Sequence, residues 1–211
     1  EQLIDAINAT GYGLTLGIAS RAPSTIAQII ARAQAGNVYV NRNMIGAVVG
    51  VQPFGGQGLS GTGPKSGGPL YLHGMLRGSP GPAAPADRRA PAALRELIEW
   101  LQHPVGPLRA SERERLRLRA QIYAQRTLLG ARYVLRGYAG ESNELRLRPR
   151  GLLRGTARSA AALLEQLAAA LATGNALQAD RVDLAIELGA ALPPRLRDRL
   201  RGDGGRGQVV L

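Results

Sequence analysis

The apolar positions at the start of the chain first follow a helical period and then form a strand-like run. Leu3, Ile4 and Ile7 recur at helical spacing and predict a short helix, which ends at the turn-forming residues 10–13. Residues 14–19 are mostly apolar and are bounded by turn residues, as is typical of a buried strand. The chain is therefore predicted to begin with a helix followed by a strand.

A second helix is predicted to begin at Pro23, because the fixed φ of proline suits the first turn of a helix. We expect Gly36 and Asn37 to end it, since a left-handed residue is favourable just after a helix. Residues 38–41 form a second β-type run, so residues 14–41 predict a strand–helix–strand unit with parallel strands. Apolar residues recur at helical spacing within its helix: Ile26, Ile29, Ile30 and Ala33.

Residues 42–70 are rich in glycine, with several prolines interspersed. Apolar side chains such as Val48, Phe54 and Leu59 alternate with the glycines, whereas a flexible linker would be mostly polar. Long loops without regular structure are usually functional when they are not disordered. We therefore expect an ordered loop that lies against a site.

A second domain is predicted beyond a linker of proline, alanine and glycine that spans residues 77–91. The apolar residues of 94–101, with Trp100 beside them, form one face of a helix. Ser111 is followed three residues later by Glu114, which predicts a capping box that opens a helix toward residue 129.

This second region also contains charged and mixed elements. The helix that begins near Ser111 is predicted to expose a charged face, with ion pairs Glu112–Arg115 and Glu114–Arg117. Further predicted elements are a half-exposed β-hairpin over 133–150, a helix over 160–172 stopped by Gly174, helical turns over 181–201 and a strand over 208–211. Residues 92–211 are thus expected to form a partial, truncated α/β accessory domain, separate from residues 1–76.

The charge of the chain is concentrated in its middle. The 211 residues include 27 basic and 15 acidic side chains, for a net charge of +12. Residues 77–160 contain 17 of the arginines against 7 acidic residues, while Lys65 is the only lysine. Aromatic residues make up 4% of the chain, and no basic stripe is interleaved with aromatic residues that could stack on bases. Nucleic-acid binding is therefore a disfavoured alternative.

Composition also limits the possible chemistry and location. A hydrophobic share of 45% is that of a folded protein rather than a disordered one. Apolar runs such as residues 45–51 are far shorter than the roughly 20 residues that cross a bilayer. No secretory leader opens the chain, so we expect a cytoplasmic protein. The absence of cysteine excludes disulfides, thiolate metal sites and a thiol nucleophile from these residues.

Two short stretches of the sequence resemble phosphate-binding motifs, but neither fits the motif's structural requirements. Residues 56–61 match the dinucleotide string GxGxxG, yet Pro53 precedes them and Pro64 follows where a helix should continue. Pro64 also separates Gly63 from Lys65, which breaks the glycine–lysine pair of a phosphate loop. No cofactor-binding residue is therefore predicted. His73 and His103 lack acidic or histidine neighbours at ligand spacing, so no metal site is predicted.

One glycine-rich stretch, residues 37–72, closely resembles the C-terminal part of the aldehyde dehydrogenase catalytic domain. Within that superfamily it looks like the L-glutamate-γ-semialdehyde (pyrroline-5-carboxylate) dehydrogenase of the bifunctional bacterial proline utilization A flavoenzymes. The resemblance continues past the linker into their accessory C-terminal domain, which is itself related to the aldehyde dehydrogenase fold and lacks catalytic residues. Its signatures are Thr10-Gly-Tyr-Gly-Leu-Thr15, Gly46-Ala-Val-Val-Gly50, Pro53-Phe-Gly-Gly56, Ser60-Gly-Thr62, Gly67-Gly-Pro-Leu-Tyr71, Gly140-Glu-Ser-Asn-Glu-Leu145 and Arg148-Pro-Arg150.

The resemblance implies an α/β fold and a role in the oxidation of glutamate semialdehyde during proline catabolism. It places the catalytic cysteine, the general-base glutamate and the NAD-binding domain before residue 1, so no catalytic residue is expected here. FAD is implied only in the proline dehydrogenase part of such proteins. The chain is accordingly expected to be a fragment that is inactive alone, with the remainder of the catalytic domain and a homo-oligomer as partners.

The resemblance also implies which residues of this chain meet the substrate. The backbone amides of Gly46 and Ala47 correspond to the loop that holds the substrate's α-carboxylate, and glycine lets a backbone approach an anion closely. Phe54 corresponds to the aromatic lining of the aldehyde tunnel. The alternatives are a tight turn that merely needs glycine and a core phenylalanine that braces the loop. Ser60, Lys65, Tyr39 and the turn at Glu141 are interpreted as structural.

Two other functions remain open at this point. The chain could be a non-catalytic scaffold or oligomerisation module, or less readily a basic nucleic-acid-binding protein. The enzyme reading requires upstream residues for activity, whereas nucleic-acid binding would weaken steeply with salt.

Overall fold

A computed structural model describes residues 1–76, 90–104, 106–203 and 208–209. The chain divides into two compact units. The first comprises the described residues of 1–83 together with 133–145, and the second those of 84–132 together with 146–211. Residues 77–89, most of the predicted linker, lie outside the described residues. The predicted domain boundaries stay predictions.

The first unit contains the predicted strand–helix–strand. Its elements over residues 1–76 are α1 (Gln2–Ala9), β1 (Tyr12–Gly13), β2 (Thr15–Ile18), α2 (Pro23–Arg32), β3 (Asn37–Val40), β4 (Gln57–Gly58) and a 3₁₀ turn (Leu72–Met75). Strands β2 and β3 are parallel, with Thr15 opposite Asn37 and Ile18 opposite Val40. Strand β1 pairs antiparallel with β4. The parallel pair with its helical crossover confirms the prediction for residues 14–41.

The connection from α2 to β3 differs from the prediction. Helix α2 ends at Arg32, and Ala33 is extended, with φ −64° and ψ 131°. Gly36 does not have a positive φ, so the expectation of a left-handed residue there is wrong. A Cβ atom on Gly36 would instead lie 1.9 Å from the carbonyl oxygen of Gly55. Glycine is needed at this position because another part of the backbone passes against it.

Residues 133–145 belong to the first unit although they follow part of the second along the chain. Two strands at their ends, β5 (Arg132–Leu135) and β6 (Asn143–Arg146), pair in a two-stranded sheet. Leu145 is buried while Arg146 and Arg148 are exposed, as the predicted alternation requires. The predicted pair of half-exposed strands is confirmed.

The second unit is built around a four-stranded sheet in the order β7–β8–β9–β10. Its elements are α3 (Ala92–Trp100), α4 (Ala110–Arg126), β7 (Leu152–Gly155), α5 (Ala160–Ala172), β8 (Ala176–Ala179), α6 (Val182–Ala191), α7 (Pro194–Arg197), β9 (Leu200–Asp203) and β10 (Gln208–Val209). Strands β7, β8 and β9 are parallel, and β10 runs antiparallel to β9. The predicted α/β character is confirmed, whereas β7, β8 and β9 were not predicted as strands.

Helix α5 occupies the centre of the hydrophobic core of the second unit. It spans the predicted residues 160–172, begins where the Ser159 hydroxyl accepts a hydrogen bond from the Ala162 N–H, and is followed by the left-handed Gly174. Four of its leucines, Leu163, Leu164, Leu167 and Leu171, are at most 2% exposed. Burial of each such side chain contributes about 1.5–3 kcal/mol, so this helix contributes strongly to the unit's stability.

The start of helix α4 corrects a second prediction. The residue before the helix is Arg109, and Ser111 lies inside the first turn. The Glu112 carboxylate accepts hydrogen bonds from the backbone N–H and the guanidinium of Arg109, which lower the pKa of Glu112 to about 2. The predicted capping box at Ser111 is therefore wrong, because the helix begins at Ala110 and Arg109 is the residue before it. Glu112 forms its close ion pair with Arg109 at 3.0 Å, and Arg115 adds a weaker electrostatic attraction to the same carboxylate. The pair Glu114–Arg117 is confirmed at 2.6 Å.

Candidate functional site

The candidate site begins where strands β2 and β3 end. Asn41 directly follows β3 and has a φ of 53°, a left-handed conformation that asparagine tolerates better than most residues. Its side-chain carbonyl accepts a hydrogen bond from the Ser20 N–H, and its amide group donates one to the Ser20 carbonyl, both at 2.9 Å. These two bonds join the carboxyl ends of the parallel strands, so the next loop starts from a fixed point.

The segment from 42 to 52, which we call the anchor loop, is closed at its base by Gln52. The Val48 carbonyl accepts hydrogen bonds from the N–H groups of Val51 and Gln52. The side-chain oxygen of Gln52 accepts the N–H of Val48 at 3.2 Å, and Gln52 is 7% exposed. Earlier in the loop, the Asn43 side chain accepts the N–H of Ile45 at 2.9 Å. The loop is ordered by these bonds, as the sequence predicts.

Gly46 and Ala47 lie in the part of the anchor loop between these two turns. Gly46 has a φ of 79°, and no atom lies within 4 Å of the position a Cβ would occupy. Glycine is thus required at 46 by the backbone conformation rather than by a close neighbour. Within the described ranges, the backbone N–H groups of Gly46 and Ala47 donate no hydrogen bond to another group of the chain. Two adjacent free N–H groups can bind an anion such as a carboxylate.

Phe54 lies beside the opposite end of β3, held by backbone bonds on both sides. The Asn37 side chain donates a hydrogen bond to the Pro53 carbonyl at 2.8 Å and accepts one from the Gly55 N–H at 3.1 Å. Phe54 itself exchanges two backbone hydrogen bonds with Ser66. The residue remains 37% exposed, so its ring is available on the surface of the first unit rather than enclosed in a core.

Lys65 links the returning part of the glycine-rich segment to the start of β3. Its ammonium donates hydrogen bonds to the carbonyl oxygens of Gly36 and Gly55 and to the side-chain oxygen of Asn37. Burial lowers the pKa of Lys65, because desolvation disfavours the charged ammonium. These contacts support the interpretation of Lys65 as a structural residue.

Glu141 is a residue whose contacts sequence reasoning missed. The turn predicted around it exists, since its N–H donates to the Tyr138 carbonyl at 3.0 Å. Its carboxylate, however, contacts the guanidinium of Arg42 at 3.2 Å and the amide group of Gln52 at 3.4 Å. The interpretation as turn chemistry alone was therefore incomplete. No local signal could have found these contacts, because their partners lie 99 and 89 residues away in sequence.

The glycine string 56–61 does not fit a dinucleotide. The short strand β4 is followed directly by a turn, whereas a pyrophosphate site needs a helix N-terminus at this point. A Cβ on Gly56 would lie 2.3 Å from the carbonyl oxygen of Ser60, so the glycines serve a tight backbone turn. The rejection of this motif agrees with the structure, and no step of NAD chemistry is assigned to these residues.

The same described residues bear on metal binding, on membrane insertion and on the use of the arginine excess. They contain no group of three or more His, Cys, Asp or Glu side chains that could hold a metal ion. None of their helices combines the length and the apolar character that crossing a bilayer requires. Part of the arginine excess is used in ion pairs with acidic side chains: Arg109–Glu112, Arg117–Glu114, Arg119–Glu165 and Arg181–Asp183.

Comparison with known proteins identifies the segment that contains the anchor loop. Residues 1–78 match the model of the aldehyde dehydrogenase family. This segment, about one-third of the chain, is thus similar to the aldehyde dehydrogenase family. The match includes Gly46, Ala47 and Phe54, so all three candidate site residues lie in the segment that is similar to aldehyde dehydrogenases.

The similarity extends beyond the aldehyde dehydrogenase segment in one group of relatives. The bifunctional protein PutA of Klebsiella aerogenes is 43% identical over 210 residues, which are 95% of this chain and 16% of that protein. The 1-pyrroline-5-carboxylate dehydrogenase of Geobacillus sp. (strain WCH70) is 43% identical over 72 residues, which are 34% of this chain and 14% of that protein. The expected resemblance to both groups is confirmed.

A solved structure supports the same relation. The structure of proline utilization A (PutA) from Corynebacterium freiburgense matches 98% of this chain with a TM-score of 0.62 and 28% identity, and the match covers 20% of that protein. The chain thus resembles the C-terminal part of a PutA protein in fold as well as in sequence. It spans about one-sixth of the length of the PutA relative from Klebsiella.

Proposed function

We propose that this chain is part of a longer NAD-dependent dehydrogenase that oxidises L-glutamate-γ-semialdehyde to glutamate in proline catabolism. The proposal is supported by the similarity to PutA over 95% of the chain and to a 1-pyrroline-5-carboxylate dehydrogenase over its first third. The overall reaction consumes the aldehyde, water and NAD⁺ and yields a carboxylate, NADH and two protons.

The observation that best supports a specific role is the pair of free N–H groups at Gly46 and Ala47. Both lie on a loop whose ends are fixed by Asn41 and Gln52, so the donors keep their positions before the substrate arrives. Preorganised N–H donors bind a carboxylate without a large ordering cost. We assign them to the α-carboxylate of the semialdehyde, and Phe54 to the passage that guides its aliphatic chain.

The remaining chemistry is assigned to parts of the longer protein outside this chain. No cysteine is present among the 211 residues, so the thiolate that attacks the aldehyde in this family comes from elsewhere. NAD, which accepts the hydride, is also bound elsewhere, and FAD belongs to the proline dehydrogenase part of PutA-like proteins. This chain contributes the residues that bind the α-carboxylate, at the end of the substrate remote from the aldehyde.

The surface of the first unit supports an association with the remainder of the catalytic domain. Many large apolar residues of this unit are exposed, and monomeric proteins rarely leave extensive apolar patches uncovered. The most exposed are Leu3, Tyr12, Ile45, Val49, Leu59, Leu72, Met75, Leu76 and Val134. We assign these residues to contacts inside the longer protein, which we further propose to be a cytoplasmic homo-oligomer.

The proposal is tested by comparing the longer gene product with these 211 residues alone. NADH formation is followed with glutamate semialdehyde and, in parallel, with a straight-chain aldehyde that lacks the α-carboxylate. We expect turnover only by the longer protein, and kcat/KM lower by about 100-fold or more for the plain aldehyde, because two charge-assisted hydrogen bonds are worth roughly 1.5–3 kcal/mol each. Turnover by the short chain, or equal use of both aldehydes, would contradict the proposal.

A further inference from the structure

The carboxylate of Glu141 bridges the two ends of the anchor loop. One oxygen lies 3.2 Å from the guanidinium of Arg42, the first residue of the loop, and the other lies 3.4 Å from the amide nitrogen of Gln52, the last residue. A single side chain from the segment 133–145 therefore fixes the separation of the loop ends. The two contacts thus connect the ends of a stretch of backbone that has no regular secondary structure.

The bridge lies in a partly shielded position where its contacts count for more than surface ion pairs. The side chains of Arg42 and Glu141 are 30% and 29% exposed. The guanidinium of Arg42 also lies 5.2 Å from the ring centroid of the buried Tyr39, a cation–π distance. Arg42 is thus held between the aromatic ring and the carboxylate, which restricts where the loop can begin.

The side chain of Gln52 connects Glu141 to the backbone next to the proposed carboxylate anchor. Its amide nitrogen donates to Glu141, while its amide oxygen accepts the N–H of Val48, the residue that follows Ala47. A buried side-chain amide needs partners for both ends. If Glu141 no longer accepted this bond, the amide of Gln52 would be free to turn away, and the N–H of Val48 would lose its acceptor.

We propose that Glu141 is a positioning residue for substrate binding, which holds the anchor loop in the conformation that presents the Gly46 and Ala47 N–H groups to a carboxylate. This inference rests on the proposed function of the loop. It assigns to residues 133–145, which lie beyond the aldehyde dehydrogenase match, an indirect part in recognising an amino-acid aldehyde.

The proposal has a specific kinetic consequence. Without the bridge, the loop spends less time in the binding conformation, and the apparent affinity for the substrate falls by the same fraction. Once the carboxylate is bound, the loop is held again, so kcat changes little. An aldehyde without a carboxylate does not use the anchor and should be unaffected.

The experiment uses the full-length enzyme with Glu141→Gln, which removes the charge but keeps the size of the side chain. We expect KM for glutamate semialdehyde to rise about 5- to 30-fold, the range that corresponds to the loss of one partly shielded ion pair with its hydrogen bond. KM for NAD, kcat and kcat/KM for the plain aldehyde should change less than about two-fold. Glu187→Gln, which removes an exposed carboxylate from α6, is the matched control and should change none of these values.

A second variant keeps the test decisive if Glu141→Gln does not fold. Gln52→Leu removes the same link from the other side and should raise KM for the semialdehyde alone. In the double variant, the two increases in KM should not multiply, because both substitutions break one connection. Equal losses with both aldehydes, or multiplying effects, would show a general structural role and overturn the inference. An active wild type with an unchanged KM in Glu141→Gln would overturn the inference alone, whereas a wild type that ignores semialdehyde would overturn the proposed function.

Discussion

At the scale of single residues, the candidate site depends on backbone conformation more than on side-chain chemistry. Gly46 needs a φ of 79° and has open space around its Cα, so its only strict requirement is a left-handed conformation. Asn41 uses a left-handed conformation to turn the chain out of β3, and its side chain closes the same turn. These two left-handed residues shape the anchor loop, and that shape leaves the N–H groups of Gly46 and Ala47 without a partner among the described residues.

We therefore predict that Gly46→Ala impairs substrate binding in the full-length enzyme. A Cβ in the left-handed region costs about 1–2 kcal/mol, which shifts the loop away from the conformation described here. KM for glutamate semialdehyde should rise about 5- to 30-fold in steady-state assays. Gly63→Ala is the matched control, because Gly63 also has a positive φ of 110° and open surroundings but lies outside the anchor loop. An equal rise in KM in both variants would contradict the prediction.

The residues of the site differ in how far the sequence could reveal them. Gly46, Ala47 and Phe54 are predicted as substrate-binding residues through a family resemblance, and the motifs that carry it are local in sequence. Glu141 was not, because an acidic residue in a turn gives no sign of a partner 99 residues away. The free N–H groups of Gly46 and Ala47 could not be predicted either. Which backbone N–H groups lack an acceptor depends on the folded structure.

At the scale of elements, helix α5 shows what a strong local pattern determines. Its bounds at 160 and 172 agree with the sequence because leucines recur at helical spacing between a serine cap and a glycine stop. The strands β7, β8 and β9 have four residues each and a mixed composition, such as Leu-Leu-Arg-Gly in β7. Their strand conformation depends on pairing with one another, and that long-range pairing leaves little local signal.

We predict that Leu167→Ala strongly destabilises the second unit. Leu167 is fully buried in the core around α5, and removal of such a side chain leaves a cavity that costs about 2–5 kcal/mol of unfolding free energy. Urea unfolding followed by tryptophan fluorescence is a suitable measurement, since Trp100 packs in the same core. Leu118→Ala on α4 is the control, because Leu118 is 48% exposed. A loss below about 1 kcal/mol for Leu167→Ala would contradict this account of the core.

At the scale of the whole molecule, the two units differ in how completely they bury their apolar residues. The second unit encloses leucines from its helices and from the sheet in one continuous core. The first buries few large side chains among its described residues, chiefly Ile18, Tyr39 and Leu145. Its parallel strands β2 and β3 form a sheet of only two strands, and parallel sheets are normally larger and covered on both faces. The first unit therefore has the character of part of a larger domain.

This difference predicts that the 211 residues alone self-associate through the first unit. Sedimentation velocity should show oligomers whose population grows with protein concentration, because exposed apolar residues drive association. The double substitution Ile45→Ser and Val49→Ser should reduce this association, since both side chains are largely exposed on the anchor loop. Ile186→Ser on α6 of the second unit is the control and should leave it unchanged. A wild-type chain that stays monomeric across the concentration range would contradict the prediction.

The order in which the chain supplies the two units has a genetic consequence. Residues 84–132 of the second unit interrupt the first, which is completed only when residues 133–145 have been made. A stop codon between residues 84 and 132 would therefore remove part of the first unit together with the accessory region. The two units cannot be separated, exchanged or lost as independent cassettes by one recombination event. If a dehydrogenase gene acquired this accessory region, residues 133–145 would come with it. The proposed support of the anchor loop by Glu141 would then depend on the acquired sequence.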